Sequence, residues 1–388
     1  MSIALERPEP LRRSRGSLLA WNRFDYVMVL GTLGLVAFGL LLIYSGSRNV
    51  YDGPQFSLGN PVVQQGMFAV IGLVMMVIIS RFDYHYLTHY WWVLYGASIV
   101  SLVGVYLFGQ TEFGATRWFN VGPLQLQPSE FAKVAVIVTL AHFFHRWGGD
   151  ARDIRAFLMS LLIVAPILGL VLIQPDLGTA LIFAAIWLGV VVIAGVNQGH
   201  LMVLGALFIA ILPFAWTFVV ADYQVERVSI LINPYADQEG LGAGYNPIQA
   251  EIAVGSGQLL GKGPGQGEQT QLDYLKVPTR DFIFSVLGEE LGFVGAVTLL
   301  GLYLLVLMRG IRVAEVAGDA PGQLIAVGIV VMIAMQAFIN IAVNLGIFPV
   351  TGLPLPFVSQ GGSSLVSLFV SLGILQSVRM RNRAYRQY

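Results

Sequence analysis

The 388-residue chain contains no cysteine and little charge. The absence of cysteine excludes disulfide bonds, thiolate nucleophiles and cysteine-ligated metal sites. Asp, Glu, Lys and Arg make up only 11% of the residues, whereas soluble domains contain roughly 25%. Because 22 basic residues balance 22 acidic ones, no net positive field favours nucleic acid as a partner. The composition therefore argues against both a soluble domain and a nucleic-acid-binding protein.

Apolar residues dominate what is present: 56% of the chain is hydrophobic, and the mean hydropathy is +0.72. A helix needs about 20 apolar residues to cross the hydrocarbon core, and ten runs approach that length. The sequence predicts an all-α polytopic membrane protein of ten transmembrane helices. The predicted spans are residues 26–45, 64–80, 91–108, 130–145, 156–173, 178–196, 201–221, 282–308, 322–344 and 363–378.

The positive charge of the connecting segments is distributed unequally between the two sides. With ten spans, both ends of the chain face the same side, which holds 15 of the 22 Lys and Arg residues, and the opposite side holds six. Cytoplasmic segments retain positive charge, so both termini are predicted to be cytoplasmic. This gives a cytoplasmic tail at 1–25, a membrane domain at 26–378 and a basic cytoplasmic tail at 379–388.

Two extracytoplasmic segments are long, residues 109–129 and residues 222–281 between the seventh and eighth helices. A structureless loop as long as the second is improbable unless it is functional. Residues 248–259 within it predict a short amphipathic helix on the membrane surface. The glycine-rich run at 255–267 is compatible with a flexible lid, a plain linker or a surface for close backbone approach.

Ionisable residues lie inside or beside several predicted spans, where an unpaired charge is costly and therefore suggests function. In PSEFAK, Glu130 and Lys133 stand three positions apart on one helical face, so they form either part of a site or a self-satisfied ion pair. In LIQPDLGTA, Asp176 lies in a short turn between two spans. It is either a helix N-cap or a second carboxylate of a cavity.

The stretch VPTRDFIFSVLGEELG contains three further carboxylates. Counted as one helix from Asp281, Ser285, Glu289 and Gly292 fall on a single polar or small stripe. Such a stripe faces protein or a water-filled cavity, so Glu289 is predicted to line a cleft below Asp281. Glu290 falls outside the stripe and is expected to pack against a neighbouring helix.

The segment PVTGLPLPFVSQGGSSL, residues 349–365, breaks any helix with its prolines and glycines and leaves hydroxyls and backbone amides free. Irregular backbone at membrane depth is tolerated only where it is buried in protein or lines a cavity. Together these segments predict an outward-opening cleft that combines carboxylates with cations. This suits a phosphate-bearing lipid whose leaving group is neutralised by Arg or Lys and whose acceptor meets a carboxylate base. An ion-coupled transporter has the same parts.

Five motifs in order resemble the SEDS family of peptidoglycan glycosyltransferases. They are RWFNVGPLQLQPSEFAK, LIQPDLGTA, DYQVERVSILINPYAD, GAGYNPIQAEIAVGSGQLLGKGPGQGEQTQLDYLKVPTRDFIFSVLGEELGFVG and TGLPLPFVSQGGSSL. GPGQGEQTQ and PVTGLPLPF are more similar to elongation-type than to division-type members. The resemblance implies a ten-helix enzyme of the bacterial cytoplasmic membrane. It would polymerise lipid II on the outer face by β-1,4 bonds and release undecaprenyl pyrophosphate.

The resemblance also implies roles for single residues. Asp281 in TRDFIF matches the essential acid of the family, and we expect it to act as general base. Trp118 matches a tryptophan that packs on a sugar or anchors at the interface. Glu130 and Lys133 are implied to form the cavity or orient phosphate. Arg117, one of the cations on the outer side, and Ser363, one of the free hydroxyls of residues 349–365, are added from the sequence itself. The predicted substrate-binding residues are Arg117, Trp118, Glu130, Lys133, Asp176, Arg227, Lys262, Glu289 and Ser363.

Two positions depart from the family pattern. VPTRDF places Arg280 where the family usually has threonine, and SQGGSS places Gln360 where it usually has tyrosine. An adjacent cation lowers the pKa of a carboxyl, so Arg280 is expected to keep Asp281 ionised and to weaken it as a base. The substitution at Gln360 puts only an aromatic contact in doubt.

No cofactor is evident, although carboxylates that face a pyrophosphate would suit Mg²⁺ or Mn²⁺. The partners implied by the resemblance are lipid II, the nascent glycan strand, a class B penicillin-binding protein and other membrane proteins of the elongation complex. Two other functions use the same parts. One is a lipid II flippase without chemistry, and the other is a scaffold that only recruits a transpeptidase.

Overall fold

The computed structural model describes residues 21–381, except 50, 52, 55, 113–114, 122–123, 148–149, 219–221 and 234–243. Most of the two predicted tails, residues 1–20 and 382–388, lies outside the described residues. A short 3₁₀ turn, Trp21–Arg23, leads into the first helix. The helices that follow are α1 (Tyr26–Ser47), α2 (Pro61–Arg81), α3 (Tyr84–His89), α4 (Trp91–Phe108), α5 (Pro128–Arg146), α6 (Ile154–Ile173), α7 (Leu177–Ile193), α8 (Gln198–Phe218), α9 (Asp222–Ile232), α10 (Tyr245–Ser256), α11 (Glu268–Gln271), α12 (Ile283–Glu315), α13 (Ala320–Asn344) and α14 (Gly362–Met380).

Each of the ten predicted spans coincides with a long helix, which confirms the all-α polytopic membrane fold. These ten are α1, α2, α4, α5, α6, α7, α8, α12, α13 and α14. Seven of them are long and apolar enough to cross a membrane. The other three are α7 and α8, whose apolar stretches are shorter, and α5, which contains Glu130 and Lys133.

The segment between α4 and α5 contains three strands that were not predicted from the sequence. They are β1 (Gln110–Glu112), β2 (Ala115–Val121) and β3 (Leu124–Leu126), and they form an antiparallel sheet in that order. In the register, Thr111 lies opposite Thr116 and Phe119 opposite Leu126. Threonine, tryptophan, phenylalanine and valine in β2 favour extended backbone. The sheet packs against α4, α5 and α14.

Helix α14 lies at the centre of the packing and is the most enclosed of the seven apolar spans. It lies close to α2, where a Cβ at Gly72 would overlap the Phe369 ring and a Cβ at Gly373 would lie 2.8 Å from the carbonyl oxygen of Met76. Small residues allow such close approach between membrane helices. The first turn of α14 lines the main cavity of the protein.

Within residues 222–281, the predicted amphipathic helix is present as α10. Its Ala250 and Ala253 are fully buried, and α10 packs against α12. A Cβ at Gly257 would overlap the carbonyl oxygen of Gly288 in α12. The small-residue face of α10 is therefore occupied by protein contact rather than by a membrane surface.

The glycine-rich run fills a break in α12. Gly292 has φ 62° and ψ −160°, which interrupts the helical hydrogen bonds. The Phe293 N–H donates to the Gln258 carbonyl at 2.8 Å, and the Lys262 N–H donates to the Glu289 carbonyl at 3.0 Å. Buried backbone groups need such partners. Of the three interpretations of this run, the close-approach surface is the one that fits.

Candidate functional site

A cavity of about 660 Å³ lies where the N-terminal ends of α2, α5, α7, α12 and α14 meet. The first N–H groups of a helix have no partner within it, and the N-terminal end is equivalent to roughly half a positive charge. Four cationic side chains add to this field. The cavity is therefore suited to an anionic ligand. The cations that line it are Arg117, Arg227, Lys276 and Arg280.

Seven of the ten predicted site residues line this one cavity. They are Arg117, Trp118, Glu130, Asp176, Arg227, Asp281 and Ser363. The other three, Lys133, Lys262 and Glu289, do not line it. The binding and catalytic roles of the seven cavity residues stay predictions.

The backbone of Asp281 is fixed by two buried amides of α13. Asn340 Nδ2 and Asn344 Nδ2 donate to its carbonyl oxygen at 3.0 and 2.9 Å. The preceding carbonyl, that of Arg280, accepts a hydrogen bond from Ser359 Oγ. Because both carbonyls are held, the carboxylate of Asp281 is presented to the cavity from a rigid backbone.

The surroundings of Asp281 combine the predicted effect of Arg280 with an opposing effect of burial. Burial raises the pKa of its carboxyl, and the cations Arg280, Arg117 and Arg227 oppose that rise in decreasing order, whereas Asp176 adds to it. Arg280 lowers the pKa, as predicted, but the net direction is upward, so the expected weakening of the base is not what the surroundings of Asp281 produce. Loss of hydration outweighs the neighbouring cations. A raised pKa makes the carboxylate a stronger base.

Asp176 has both of the roles that the sequence left open. It is the N-cap of α7, and its carboxylate accepts from Thr179 N at 3.1 Å and Thr179 Oγ1 at 2.9 Å. It also lines the cavity, with Arg117 Nη1 at 3.7 Å from Oδ1. Arg117 donates further to the carbonyls of Gln174 and Pro175. Arg117 therefore joins β2 to the turn before α7.

Glu130 and Lys133 form a buried ion pair with one unsatisfied oxygen. Lys133 Nζ lies 2.9 Å from Glu130 Oε1 and 3.0 Å from Gln336 Oε1. Glu130 lines the cavity, and its Oε2 has no hydrogen-bond partner among the described residues. Lys133 lies below it and holds the glutamate rather than lining the cavity. The ion pair uses Glu130 Oε1 and leaves Glu130 Oε2 available to accept a hydrogen bond in the cavity.

Glu289 is a structural residue, and its predicted place in the cleft is wrong. Its carboxylate accepts from Gln269 N at 2.9 Å and from Thr270 N and Oγ1 at 3.2 and 3.0 Å. Lys262 Nζ lies 3.3 Å from Glu289 and 3.6 Å from Glu268. Lys262 therefore stabilises the glycine-rich run and is not at the cavity.

Glu290 contacts a neighbouring helix, as predicted. Its Oε1 accepts a hydrogen bond from Ser45 Oγ of α1. The same hydroxyl accepts from Gly265 N at 3.1 Å. Glu290 thus connects α12, α1 and the glycine-rich run.

The hydroxyl of Ser363 is used within the protein. It donates to the Gln125 carbonyl at 2.9 Å and accepts from Gln127 N at 3.1 Å. These bonds join β3 to the first turn of α14. The neighbouring Ser364 also lines the cavity, and its Oγ has no hydrogen-bond partner among the described residues.

The two departures from the family pattern, Arg280 and Gln360, lie on two segments that are hydrogen-bonded to each other. Gln360 N donates to the Thr279 carbonyl at 2.9 Å. Thr279 Oγ1 donates to Gln360 Oε1, also at 2.9 Å. Gln360 therefore holds the segment that carries Arg280 and Asp281 against the loop before α14.

A polar stripe on α13 is not among the predicted features. Gln336, Asn340 and Asn344 are almost fully buried and stand four residues apart in an apolar helix, so they share one face. They bind Lys133, the Asp281 carbonyl and the segment 353–354. The sequence signal for this stripe is the occurrence of three amide side chains at intervals of four residues within a predicted span.

Within the described ranges, no group of three His, Cys, Asp or Glu side chains is placed to hold a metal ion. Mg²⁺ often uses only one or two carboxylates together with phosphate oxygens of the substrate. Three carboxylates line the cavity, those of Glu130, Asp176 and Asp281, and the divalent cation stays a prediction.

Residues 26–384 match the family described as Cell cycle protein, which comprises FtsW, RodA and SpoVE. The chain is 38% identical to peptidoglycan glycosyltransferase MrdB of Escherichia coli K12 over 365 residues, covering 94% of this chain and 96% of that protein.

Solved structures agree with the sequence match. The chain is similar to a component of a peptidoglycan synthase complex that coordinates polymerization and crosslinking, with TM-score 0.78 and 31% identity over 93% of this chain and 99% of that one. It is also similar to the rod shape determining protein RodA of Thermus thermophilus, with TM-score 0.69 and 29% identity over 94% of this chain and 99% of that one. The chain thus belongs to the FtsW/RodA/SpoVE family.

Proposed function

We propose that this chain is a peptidoglycan glycosyltransferase that polymerises lipid II during cell-wall elongation. The observation that carries the proposal is a fixed carboxylate, Asp281, in a cavity lined by cations and helix N-termini. The glycosyltransferase name of a relative that is 38% identical supports it. The cavity would face the outside of the bacterial cytoplasmic membrane, with both termini in the cytoplasm.

In the proposed step, the 4-hydroxyl oxygen of the acceptor GlcNAc attacks the anomeric carbon of an α-linked donor. A β-1,4 carbon–oxygen bond forms as the bond from the anomeric carbon to the diphosphate oxygen breaks. The bonding electron pair leaves with undecaprenyl pyrophosphate, and the hydroxyl proton passes to the carboxylate of Asp281. A single base suffices for this inversion, and the raised pKa of Asp281 strengthens that base.

Other cavity residues suit binding of a glycan. Trp118 provides an aromatic face on which a sugar ring can pack. Glu130 Oε2, buried and without a partner among the described residues, is an acceptor for a sugar hydroxyl, since leaving such an oxygen unpaired costs free energy. Arg117 and Arg227 contribute positive charge at the cavity wall.

The proposed partner is a class B penicillin-binding protein, which would cross-link the strands that this chain polymerises. The support is the similarity to a component of a synthase complex that coordinates polymerization and crosslinking. Further membrane proteins of the elongation complex belong to the same proposal.

The function is tested with the purified full-length chain, its partner and labelled lipid II. Asp281→Asn keeps the shape of the side chain but removes the base, so we expect polymer formation to fall by about 100-fold or more. Asp273→Asn, an exposed acid in the same extracytoplasmic segment, should retain activity. Assays with EDTA, Mg²⁺ or Mn²⁺ test the cofactor prediction.

Two outcomes would contradict the proposal. Lipid II that crosses a bilayer without forming polymer would indicate a flippase. Unchanged polymer formation by Asp281→Asn would show that another group accepts the proton.

A further inference from the structure

The N-terminus of α14 differs from two other helix starts at the cavity because no described side chain caps it. Asn60 caps α2 and Asp176 caps α7, each by accepting from a backbone N–H. At α14 the N-cap is Gly361, and it makes no side-chain cap bond. The N–H groups of the first turn have no partner within the helix. They belong to Gly362, Ser363 and Ser364, all of which line the cavity.

A second observation at this helix start concerns a buried hydroxyl. The side chain of Ser364 is 7% exposed and lines the cavity. Its Oγ has no hydrogen-bond partner in the described part of the chain. A buried hydroxyl without a partner is costly and points to a missing ligand group. The hydroxyl of Ser363, by contrast, already binds β3.

A cation stands beside the same helix start. Arg280 Nη2 lies 3.4 Å from Gln125 Oε1, and the carbonyl of Gln125 accepts from Ser363 Oγ in the first turn of α14. One residue of β3 therefore connects the guanidinium to the helix. Arg280 has no ion pair with a described carboxylate, whereas Arg117 is paired with Asp176. Arg280 thus retains donors for an anion.

Anion sites in proteins are commonly built from a helix N-terminus, a hydroxyl and an arginine. We propose that the diphosphate of the lipid-linked donor binds at the N-terminus of α14, held by its first-turn amides, Ser364 Oγ and the guanidinium of Arg280. This rests on the proposed function and specifies which end of the cavity holds the leaving group.

The arrangement separates the leaving group from the base. Arg280 and Asp281 are consecutive, but their side chains lie against different segments. The guanidinium contacts β3, whereas Asp281 Oδ2 lies 3.7 Å from the position that a Cβ on Gly352 would take. A donor sugar between them would have the diphosphate on one side and the base on the other, as an inverting displacement requires.

The test uses farnesyl diphosphate and farnesyl monophosphate as competitors of lipid II with the full-length chain and its partner. We expect the diphosphate to inhibit wild type about tenfold more strongly than the monophosphate. A lost hydrogen bond to a charged group corresponds to about tenfold in affinity. The Ki of the diphosphate should therefore rise about tenfold in Arg280→Gln and about threefold or more in Ser364→Ala.

The controls separate this contact from general effects. Ser364→Thr keeps the hydroxyl and Arg280→Lys keeps the charge, so both should recover part of the affinity. Arg48→Gln removes an exposed cation that does not line the cavity and should leave the Ki unchanged. The size-exclusion profile of each variant checks folding.

Binding of a fluorescent farnesyl diphosphate to Asp281→Asn, which needs no turnover, separates the two proposals. Binding weakened by Arg280→Gln or Ser364→Ala in that background supports the subsite even where no polymer forms. Polymer formation with a diphosphate Ki that neither variant changes would overturn the subsite and leave the glycosyltransferase proposal standing.

Discussion

Arg280 limits how far burial raises the pKa of Asp281. It is the largest of the cationic influences that oppose burial at this carboxyl. The base must be ionised to accept a proton, so kcat should fall as the pH drops through that pKa. Arg280→Thr removes a lowering influence, so the pKa rises and the acidic limb of kcat moves to higher pH. The shift is expected upward because a carboxyl that loses a neighbouring cation holds its proton to higher pH.

The measurement is kcat against pH at saturating lipid II, which separates the base from donor binding. Arg48→Thr, an exposed cation away from the cavity, should leave the profile in place. An acidic limb that stays at the same pH in Arg280→Thr would show that the cation does not tune the base.

Single residues differ in how far the sequence reveals them. A charged residue inside or beside an apolar segment is recognisable in the sequence because its burial is costly unless it is paired or functional. This applies to Glu130, Asp176 and Asp281, and all three line the cavity. The amides that fix Asp281 do not stand out, because Asn340 and Asn344 are neutral and are tolerated in membrane helices. Which backbone carbonyl they bind depends on the packing of α13 against the segment before α12, which no local pattern contains.

At the scale of one element, the break in α12 depends on a single glycine. Gly292 has φ 62° and ψ −160°, a region that essentially only glycine adopts. A Cβ there would also overlap the Gly261 nitrogen and lie 2.8 Å from the Leu259 carbonyl. Gly292→Ala should therefore destabilise the protein by roughly 1–3 kcal/mol from backbone strain, with the overlap in addition. Thermal unfolding in detergent measures the loss.

Gly301→Ala in the same helix is the matched control. A Cβ at Gly301 meets nothing within 4 Å, and alanine favours a helix by up to about 1 kcal/mol over glycine. Its unfolding temperature should be unchanged or slightly higher. Equal unfolding temperatures for the two variants would contradict the requirement for glycine at Gly292.

The wrong position of Glu289 has another cause. The predicted stripe assumed one regular helix from Asp281, but α12 begins at Ile283, so Asp281 lies outside the helix that carries Glu289. The Glu289 carboxylate is instead bound by the segment that contains Gln269 and Thr270. The ten spans were predictable because each is a long apolar run. The strands β1–β3 were not predictable, because each has seven residues or fewer. So short a segment gives too few alternating polar and apolar positions to identify a strand. The sheet also depends on contact with α4 and α5, which lie elsewhere in the chain.

At the scale of the whole molecule, the two faces carry different chemistry. Five helix N-termini and the cavity lie on one face. Asp25, on the other, pairs with Arg309 and Arg379 and joins the ends of α1, α12 and α14. That sidedness accords with the unequal distribution of Lys and Arg in the sequence. The same distribution predicts that the cavity face is extracytoplasmic.

Because the chain has no cysteine, single cysteines report this orientation without background. Glu268→Cys places a thiol on the cavity side, where the side chain is 75% exposed. Glu315→Cys places one at the exposed far end of α12. A membrane-impermeant maleimide should label Glu268→Cys in intact spheroplasts and Glu315→Cys only after permeabilisation, because the membrane separates the two ends of that helix. The unsubstituted chain should stay unlabelled, and the reverse pattern would place the cavity in the cytoplasm, where it could not extend a cell wall.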